Sequence, residues 1–143
     1  MIIGFHFTKI LIEQQNQLKG KVGISNGVDI TNITEQKYSL KNKQKALTFQ
    51  FTFTVDYKKD IGNITLNGDV MYLLNEKRYK QVLDLWKKNK KIPPEESMII
   101  LNRVLHKCNI KALELSQELN LPPHIPLPKV NFETQSLAES YIG

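Results

Sequence analysis

The sequence predicts one α+β domain: an antiparallel sheet of about four long strands, followed by two helices packed on one of its faces. Two observations predict it. Between positions 47 and 57 every odd residue is apolar (Leu47, Phe49, Phe51, Phe53, Val55, Tyr57) and every even residue is polar (Thr48, Gln50, Thr52, Thr54, Asp56). That period of two marks a strand with one buried and one wet face. At Asn75 the period changes, and Tyr79, Val82, Leu83 and Trp86 fall at i, i+3, i+4 and i+7, one face of a helix. A wet strand face belongs to an antiparallel sheet rather than a doubly wound parallel one. Strands first and helices second give segregated layers.

The first strand starts near the N-terminus. Phe5 and Phe7 share one parity, whereas Ile10 and Ile12 share the other, so a bulge is expected near Thr8. The segment 20–38, with Val22, Ile24, Val28 and Ile30 broken by Gly23 and Gly27, reads as a weaker strand or strand pair. Residues 39–45 are polar and basic, a loop. Lys58-Lys59-Asp60 turns the 47–57 strand into a second run, Ile64, Leu66, Val70, Tyr72 and Leu74, to make a hairpin. Gly68 interrupts this run and marks a bulge or a close backbone approach.

Asn75 is placed to cap the first helix, and Glu76 suits its positive end. Pro93-Pro94 stops that helix and starts the next, since proline at a first helical position sacrifices only an amide that would be unpaired anyway. The stripe Met98, Leu101, Leu105, Cys108, Ala112, Leu115 and Leu119, spaced alternately by three and four, runs along 95–119, with Asn109 as a candidate break. Prolines 122, 123, 126 and 128 then force an extended or turning chain over 120–132. The domain spans 1–133, with 134–143 as a C-terminal tail.

The chain has 143 residues, 41% of them apolar, 24% charged and 8% aromatic. This excludes a disordered chain, a collagen-like repeat and a disulfide-bonded miniprotein. Lys and Arg number 20 against 14 Asp and Glu, a net charge of +6. A basic surface admits nucleic acid, an anionic membrane or an acidic protein as partner, and does not choose between them. The single cysteine, Cys108, forms no disulfide within the chain. The apolar N-terminus lacks the basic flank and cleavage site of a signal peptide, and no run is long enough to span a membrane. The expected location is the cytoplasm, with no membrane partner.

Catalytic chemistry is not signalled. No phosphate-binding loop, dinucleotide fingerprint, nucleophile elbow or zinc-protease helix is present. His106 and Cys108 lie two apart on a helix, where they diverge by about 200°, and no second ligand pair accompanies them. Cys108 sits within the apolar stripe and is expected to be a small buried hydrophobe. His6 alternates with Phe5 and Phe7 and belongs to the wet face. Asp56, Asp60 and Asp69 lie near the hairpin with nothing to orient them. The chain is read as a non-enzyme with no cofactor and no metal.

Two surfaces are candidates for binding. The basic cluster Lys77, Arg78, Lys80, Lys87, Lys88, Lys90 and Lys91 contains Tyr79 and Trp86, the composition of a nucleic-acid-facing helix. The competing reading is a solvated helix face whose aromatic residues point into the core. On the second helix, Ile99, Ile100 and Val104 widen the apolar surface beyond the stripe, and such excess width suggests another subunit. The flanking positions lack the paired charges of a free coiled coil. The pattern from Ile110 to Leu121 also resembles the first helix and turn of a helix-turn-helix, but the prolines that follow exclude its recognition helix.

The segment Leu121 to Phe132, LPPHIPLPKVNF, resembles a Leu/Pro-rich segment of the SecB-like family, with Leu127, Pro128, Val130, Asn131 and Phe132 matching best. Long N-terminal strands followed by two helices also resemble that family, and the nearest match is an archaeal-type relative of the bacterial export chaperone. The resemblance implies a SecB-like fold, assembly with itself as a dimer or tetramer, and binding of unfolded or extended polypeptide in apolar grooves, without ATP. It makes Ile99, Ile100, Val104, Ile125, Leu127 and Phe132 the candidate peptide-binding or oligomer-interface residues. Two features depart from the family: this chain is basic where the export chaperone is acidic, and residues 134–143 carry neither the cysteine nor the histidine of its zinc-binding tail.

Overall fold

A computed structural model describes residues 1–36 and 44–128. Six elements follow in order: β1 (Ile2–Gln14), β2 (Ile24–Glu35), β3 (Gln44–Tyr57), β4 (Gly62–Asn75), α1 (Glu76–Asn89) and α2 (Pro94–Glu118). The four strands form one open sheet in the order β1-β4-β3-β2, with every neighbouring pair antiparallel. The expected α+β architecture is therefore present, and the 20–38 region contributes one strand rather than two.

The hairpin β3–β4 is the centre of the sheet. Leu47, Phe49, Phe51, Phe53, Val55 and Tyr57 pair with Tyr72, Val70, Gly68, Leu66, Ile64 and Gly62, so the apolar sets of both strands share one face. Phe49, Phe51 and Phe53 are fully buried beneath the helices. The turn places Lys59 and Asp60 in the left-handed region, at φ 63° and 59°. The Asn16 side-chain amide donates to the Asp60 carbonyl at 2.6 Å and secures it.

β1 and β2 are consecutive in the chain yet occupy opposite edges. The connection 15–23 carries the chain around the hairpin turn: Gln15 N–H donates to Ile61 O at 2.7 Å, and Lys58 N–H to Gly23 O at 2.7 Å. Each edge strand contains a bulge at the same level. On β1 the register slips between Phe7 and Lys9, at Thr8, which returns Ile10 and Ile12 to the face of Phe5 and Phe7. On β2 it slips between Ile30 and Asn32, and Ile33 rejoins the apolar face. Phe7, Gly68, Phe51 and Ile30 form one line across the sheet between the two bulges. A Cβ at Gly68 would collide with the His6 carbonyl and the Phe51 ring. The vacant space is filled from above by aromatic rings: Phe5 stacks on Phe51 at 5.3 Å, and Phe7 meets it edge-on at 6.3 Å.

α1 begins at Asn75, whose Oδ1 accepts from Arg78 N–H at 2.8 Å, and ends at Lys90, in the left-handed region with its N–H on Trp86 O. Tyr79, Val82, Leu83 and Trp86 are its buried face, as the spacing predicts. α2 runs unbroken through Asn109, so no break occurs there. At 25 residues it is about 37 Å long at 1.5 Å per residue. Its buried face is not the predicted stripe. Glu96, Ile100, Val104, Cys108, Ala112 and Ser116 are buried, a single row spaced by four. Such a row is inclined by about 26° to the helix axis, so α2 crosses the sheet obliquely along one ridge. In its N-terminal half the predicted stripe faces outward, leaving Met98 62% and Leu105 36% exposed; in its C-terminal half it meets the core, with Cys108 and Ala112 buried and Leu115 and Leu119 packed against it.

Candidate functional site

The segment after α2 builds a mainly apolar surface. Leu121 N–H returns to Ser116 O at 2.8 Å and closes the helix end, with Asn120 in the left-handed region. Prolines 122, 123, 126 and 128 then keep the chain out of helix and strand. Two side-chain contacts hold it against the sheet. The Tyr57 hydroxyl donates to Pro122 O at 2.7 Å. His124 is buried, with its Nε2 2.7 Å from Asn109 Oδ1 and its ring edge-on to Phe53 at 6.0 Å. Burial lowers the His124 pKa from the ordinary histidine value, which favours the neutral ring, and its Nδ1 is buried without a partner among the described residues.

Held in this way, residues 122–128 wall a groove of about 610 Å³ whose other side is Ile24, at the start of β2. Ile125 is half-buried and Leu127 is 47% exposed. The groove is mainly apolar and opens beside the outer edge of β2, which no strand covers among the described residues.

The predicted site residues divide between environments. Ile125 and Leu127 lie together in this groove. Ile99 is 39% exposed on α2. Ile100 and Val104 leave the candidate surface, because both are fully buried in the protein's own core by the oblique ridge of α2. The exposed apolar residues of the N-terminal half of α2 are instead Met98, Ile99 and Leu105, with Leu101 half-exposed. Phe132, residues 134–143 and most of the predicted 39–45 loop lie outside the described residues.

The basic cluster is exposed at Lys77, Lys80, Lys87, Lys88, Lys90 and Lys91. Arg78 differs. Its guanidinium clamps the buried Glu96 carboxylate, Nε donating to Oε1 at 2.8 Å and a second nitrogen to Oε2, and it lies 3.6 Å from Glu95. Tyr79 and Trp86 are buried and offer no ring for base stacking. The Tyr79 hydroxyl donates to Glu35 Oε1 at 2.6 Å; burial, then this bond, pushes its pKa up to about 12.

The opposite face of the sheet carries a smaller polar cleft of about 330 Å³ along the bulge line, lined by Thr8, Thr31, Gln50, Asn67 and Asp69 among others. His6 lies on that face, 3.2 Å from Asp69. Among the described residues, no three His, Cys, Asp or Glu side chains group to hold a metal. Cys108 is fully buried, and burial pushes its thiol pKa up to about 12, unsuited to a nucleophile. No helix among the described residues is long and apolar enough to cross a membrane.

The residues that sequence reasoning missed are Ile24, Tyr57, Asn109 and His124. A histidine inside a proline run was the available signal, since only a tertiary partner would bury it; Asn109 drew notice only as a helix break.

No protein-family model matches the chain, and no curated protein is significantly similar to it. Among solved structures it is similar to a SecB-like chaperone of Mycobacterium tuberculosis in complex with a ChAD peptide from an antitoxin: 12% identity, TM-score 0.49, covering 92% of this chain and 89% of that one. It is likewise similar to a protein of unknown function from Streptococcus agalactiae: 9% identity, TM-score 0.49, covering 90% and 96%. The architecture described above rests on the sheet and helices themselves.

Proposed function

We propose that this protein binds extended polypeptide in the groove between Ile24 and the 122–128 segment, and that it acts as a self-associated assembly, a dimer or tetramer, without catalysis or ATP. The observation that carries the reading is the groove itself: about 610 Å³, mainly apolar, beside a strand edge that is unpaired among the described residues. An uncovered edge and an adjoining apolar pocket together supply backbone pairing and side-chain recognition. The Leu/Pro-rich wall of the groove is also the segment that resembles the SecB-like family. Self-association is supported by the outward apolar stripe of α2, where Met98 and Leu105 are exposed and Leu101 half-exposed among the described residues. Action in the cytoplasm is part of the same proposal. Nucleic-acid binding by α1 is the weaker reading, because the aromatic residues within its basic cluster are turned into the core.

The test measures aggregation of a reduced, unfolded model protein alongside the mass of this protein by light scattering. Suppression of aggregation by an oligomer is expected. Leu127→Asp should weaken suppression with the circular dichroism spectrum unchanged, and Met98→Lys with Leu105→Lys should lower the mass. A strict monomer without effect on aggregation overturns the proposal.

A further inference from the structure

The wet face of the sheet, opposite the helices and the groove, has a concavity of its own. Gln50 and Thr52 of β3 stand beside Asp69 and Asn67 of β4 on that face. The pair between them, Phe51 with Gly68, directs its one side chain to the helix side. The four polar side chains therefore mark the corners of a rectangle, about 4.8 Å across the strands and about 6.8 Å along them. The edge strands close its ends, because each inserts an extra residue at this level, Thr8 on β1 and Thr31 on β2. These six residues are the polar lining of the cleft of about 330 Å³.

Each of the six side chains carries an oxygen that accepts hydrogen bonds, and only Asp69 is charged. The Asp69 side chain is largely covered, at 19% exposure. Its one ionic partner among the described residues is His6, whose Nε2 is 3.2 Å away; that ring is 56% exposed, so water weakens the contact. Asn67 Oδ1 is buried without a hydrogen-bond partner among the described residues. A buried acceptor without a donor carries a desolvation cost. The charge here also runs against the rest of the chain, whose net charge is +6. Asp29 pairs with Thr52, and Lys9 with Asn67. Together with Asp69, and with His6 neutral, they leave the site one net negative charge.

A ligand that suits this lining brings N–H donors and positive charge. An ammonium is a compact, strongly hydrated point charge. A guanidinium is planar and more weakly hydrated, and its donors form a fixed fork that reaches a carboxylate and a neighbouring amide oxygen together. Asp69 and Asn67 offer that pair of acceptors, two positions apart on one face of β4. The terminal torsion of an asparagine is broad, so rotation of the Asn67 amide turns its oxygen towards the cleft. A divalent metal ion suits the lining less well, since hard cations take several carboxylates and the cleft has one.

We propose that this cleft binds a guanidinium group, with the Asp69 carboxylate and the Asn67 amide oxygen as its main acceptors and Thr8, Gln50 and Thr52 around it. The same chemistry comes from two sources, a small molecule such as arginine or an arginine side chain of another polypeptide. The site lies on the face of the sheet away from the apolar groove, and neither site depends on the other.

The probe is N-acetyl-arginine amide, titrated into the full chain while backbone amide resonances are followed by NMR. The controls are N-acetyl-citrulline amide, which has a similar shape without the charge, and N-acetyl-lysine amide. Saturable shifts centred on Gln50, Thr52, Asn67 and Asp69 are expected, with citrulline weaker than arginine by about tenfold and lysine between them. Asp69→Asn should weaken arginine binding about tenfold, with the circular dichroism spectrum unchanged. Asn67→Leu is the second variant: it removes the unpartnered acceptor, so it should weaken binding while the urea midpoint is maintained or raised. Equal binding of arginine and citrulline, shifts centred on another surface, or no saturable shift overturns the proposal. Lysine binding as tightly as arginine overturns the choice of a guanidinium. A Gly-Arg-Gly peptide separates the sources. Binding tighter than that of the amide assigns the group to a polypeptide, and binding no tighter assigns it to a small molecule; either result supports the site.

Discussion

The Nε2 of His124 lies 2.7 Å from the Oδ1 of Asn109, and this contact fastens the wall of the groove to the middle of α2. The ring is buried, its pKa is lowered by burial, and its Nδ1 has no partner among the described residues. The wall of the groove is therefore fastened by a ring whose neutral form burial favours.

The first expected outcome concerns pH. A histidine whose folded pKa lies below its unfolded value of about 6.5 binds fewer protons when folded. Its stabilising contribution is complete above about pH 6.5 and is lost as pH falls from there through the lowered folded value. Urea midpoints measured between pH 8 and pH 5 should decline for the natural chain and decline less for His124→Gln. Asn109→Ala should cost about 1 kcal/mol at pH 8, the worth of an ordinary hydrogen bond. Parallel pH profiles for the natural chain and His124→Gln would show that the ring is not held neutral.

Cys108 is expected to be unreactive in the folded state. With a pKa of about 12, roughly one thiol in ten thousand is ionised at pH 8, and the thiolate is the reactive form. Labelling by a disulfide reagent should proceed at the rate of unfolding and accelerate sharply in urea. Rapid labelling without denaturant would mean that α2 does not bury its ridge.

Gly68 and Gly27 form a matched pair. A methyl group at 68 meets the His6 carbonyl and the Phe51 ring, whereas one at 27 meets nothing. Gly68→Ala should destabilise by about 1–3 kcal/mol, the usual penalty of overpacking. Gly27→Ala should leave the denaturation midpoint almost unchanged. Equal effects would contradict the close approach of β1 to β4.

The pairing of Arg78 with buried Glu96 links the two helices. Arg78→Ala should lower the thermal midpoint more than Glu95→Ala does, because it leaves the Glu96 carboxylate without its guanidinium. Arg78→Lys should rescue only part of the loss, since an ammonium does not reproduce the two-pronged contact. Similar midpoints for Arg78→Ala and Glu95→Ala would show the pair to be energetically idle.

Much of this fold was legible in the order of the residues. β3 and β4 declared themselves because each has one dry and one wet face, and the Thr8 bulge was visible as the change of parity from Phe7 to Ile10. The equivalent change on β2, from Ile30 to Ile33, went unread because Gly23, Asn26 and Gly27 thin out the apolar pattern. α2 misled in a different way. It has more apolar positions than one face can bury, and periodicity ranks a three-four stripe above a row spaced by four. The sheet selected the row, and so Ile100 and Val104 went inward while Met98 and Leu105 stayed out. The groove was only half legible: Ile125 and Leu127 could be named, but their partner Ile24 is about a hundred residues away in the chain, and pairing at that distance leaves no local pattern.

The placement of β1 and β2 on opposite edges also bears on how the chain reaches this state. β1 is made first, yet its partner is β4, with Ile2 beside Tyr72 and Gln14 beside Gly62. β2 must likewise wait for β3. β1 does not pair with β2, its neighbour in the chain, whereas β2 pairs with the strand that follows it; the local hairpin β3–β4 is the natural nucleus, and the two edges dock on it afterwards. Until then the segment Ile2–Ile12, rich in Ile and Phe, stays unprotected during synthesis. Refolding should accordingly be slow for a domain of this size, with protection against hydrogen exchange appearing in the hairpin before it appears in β1.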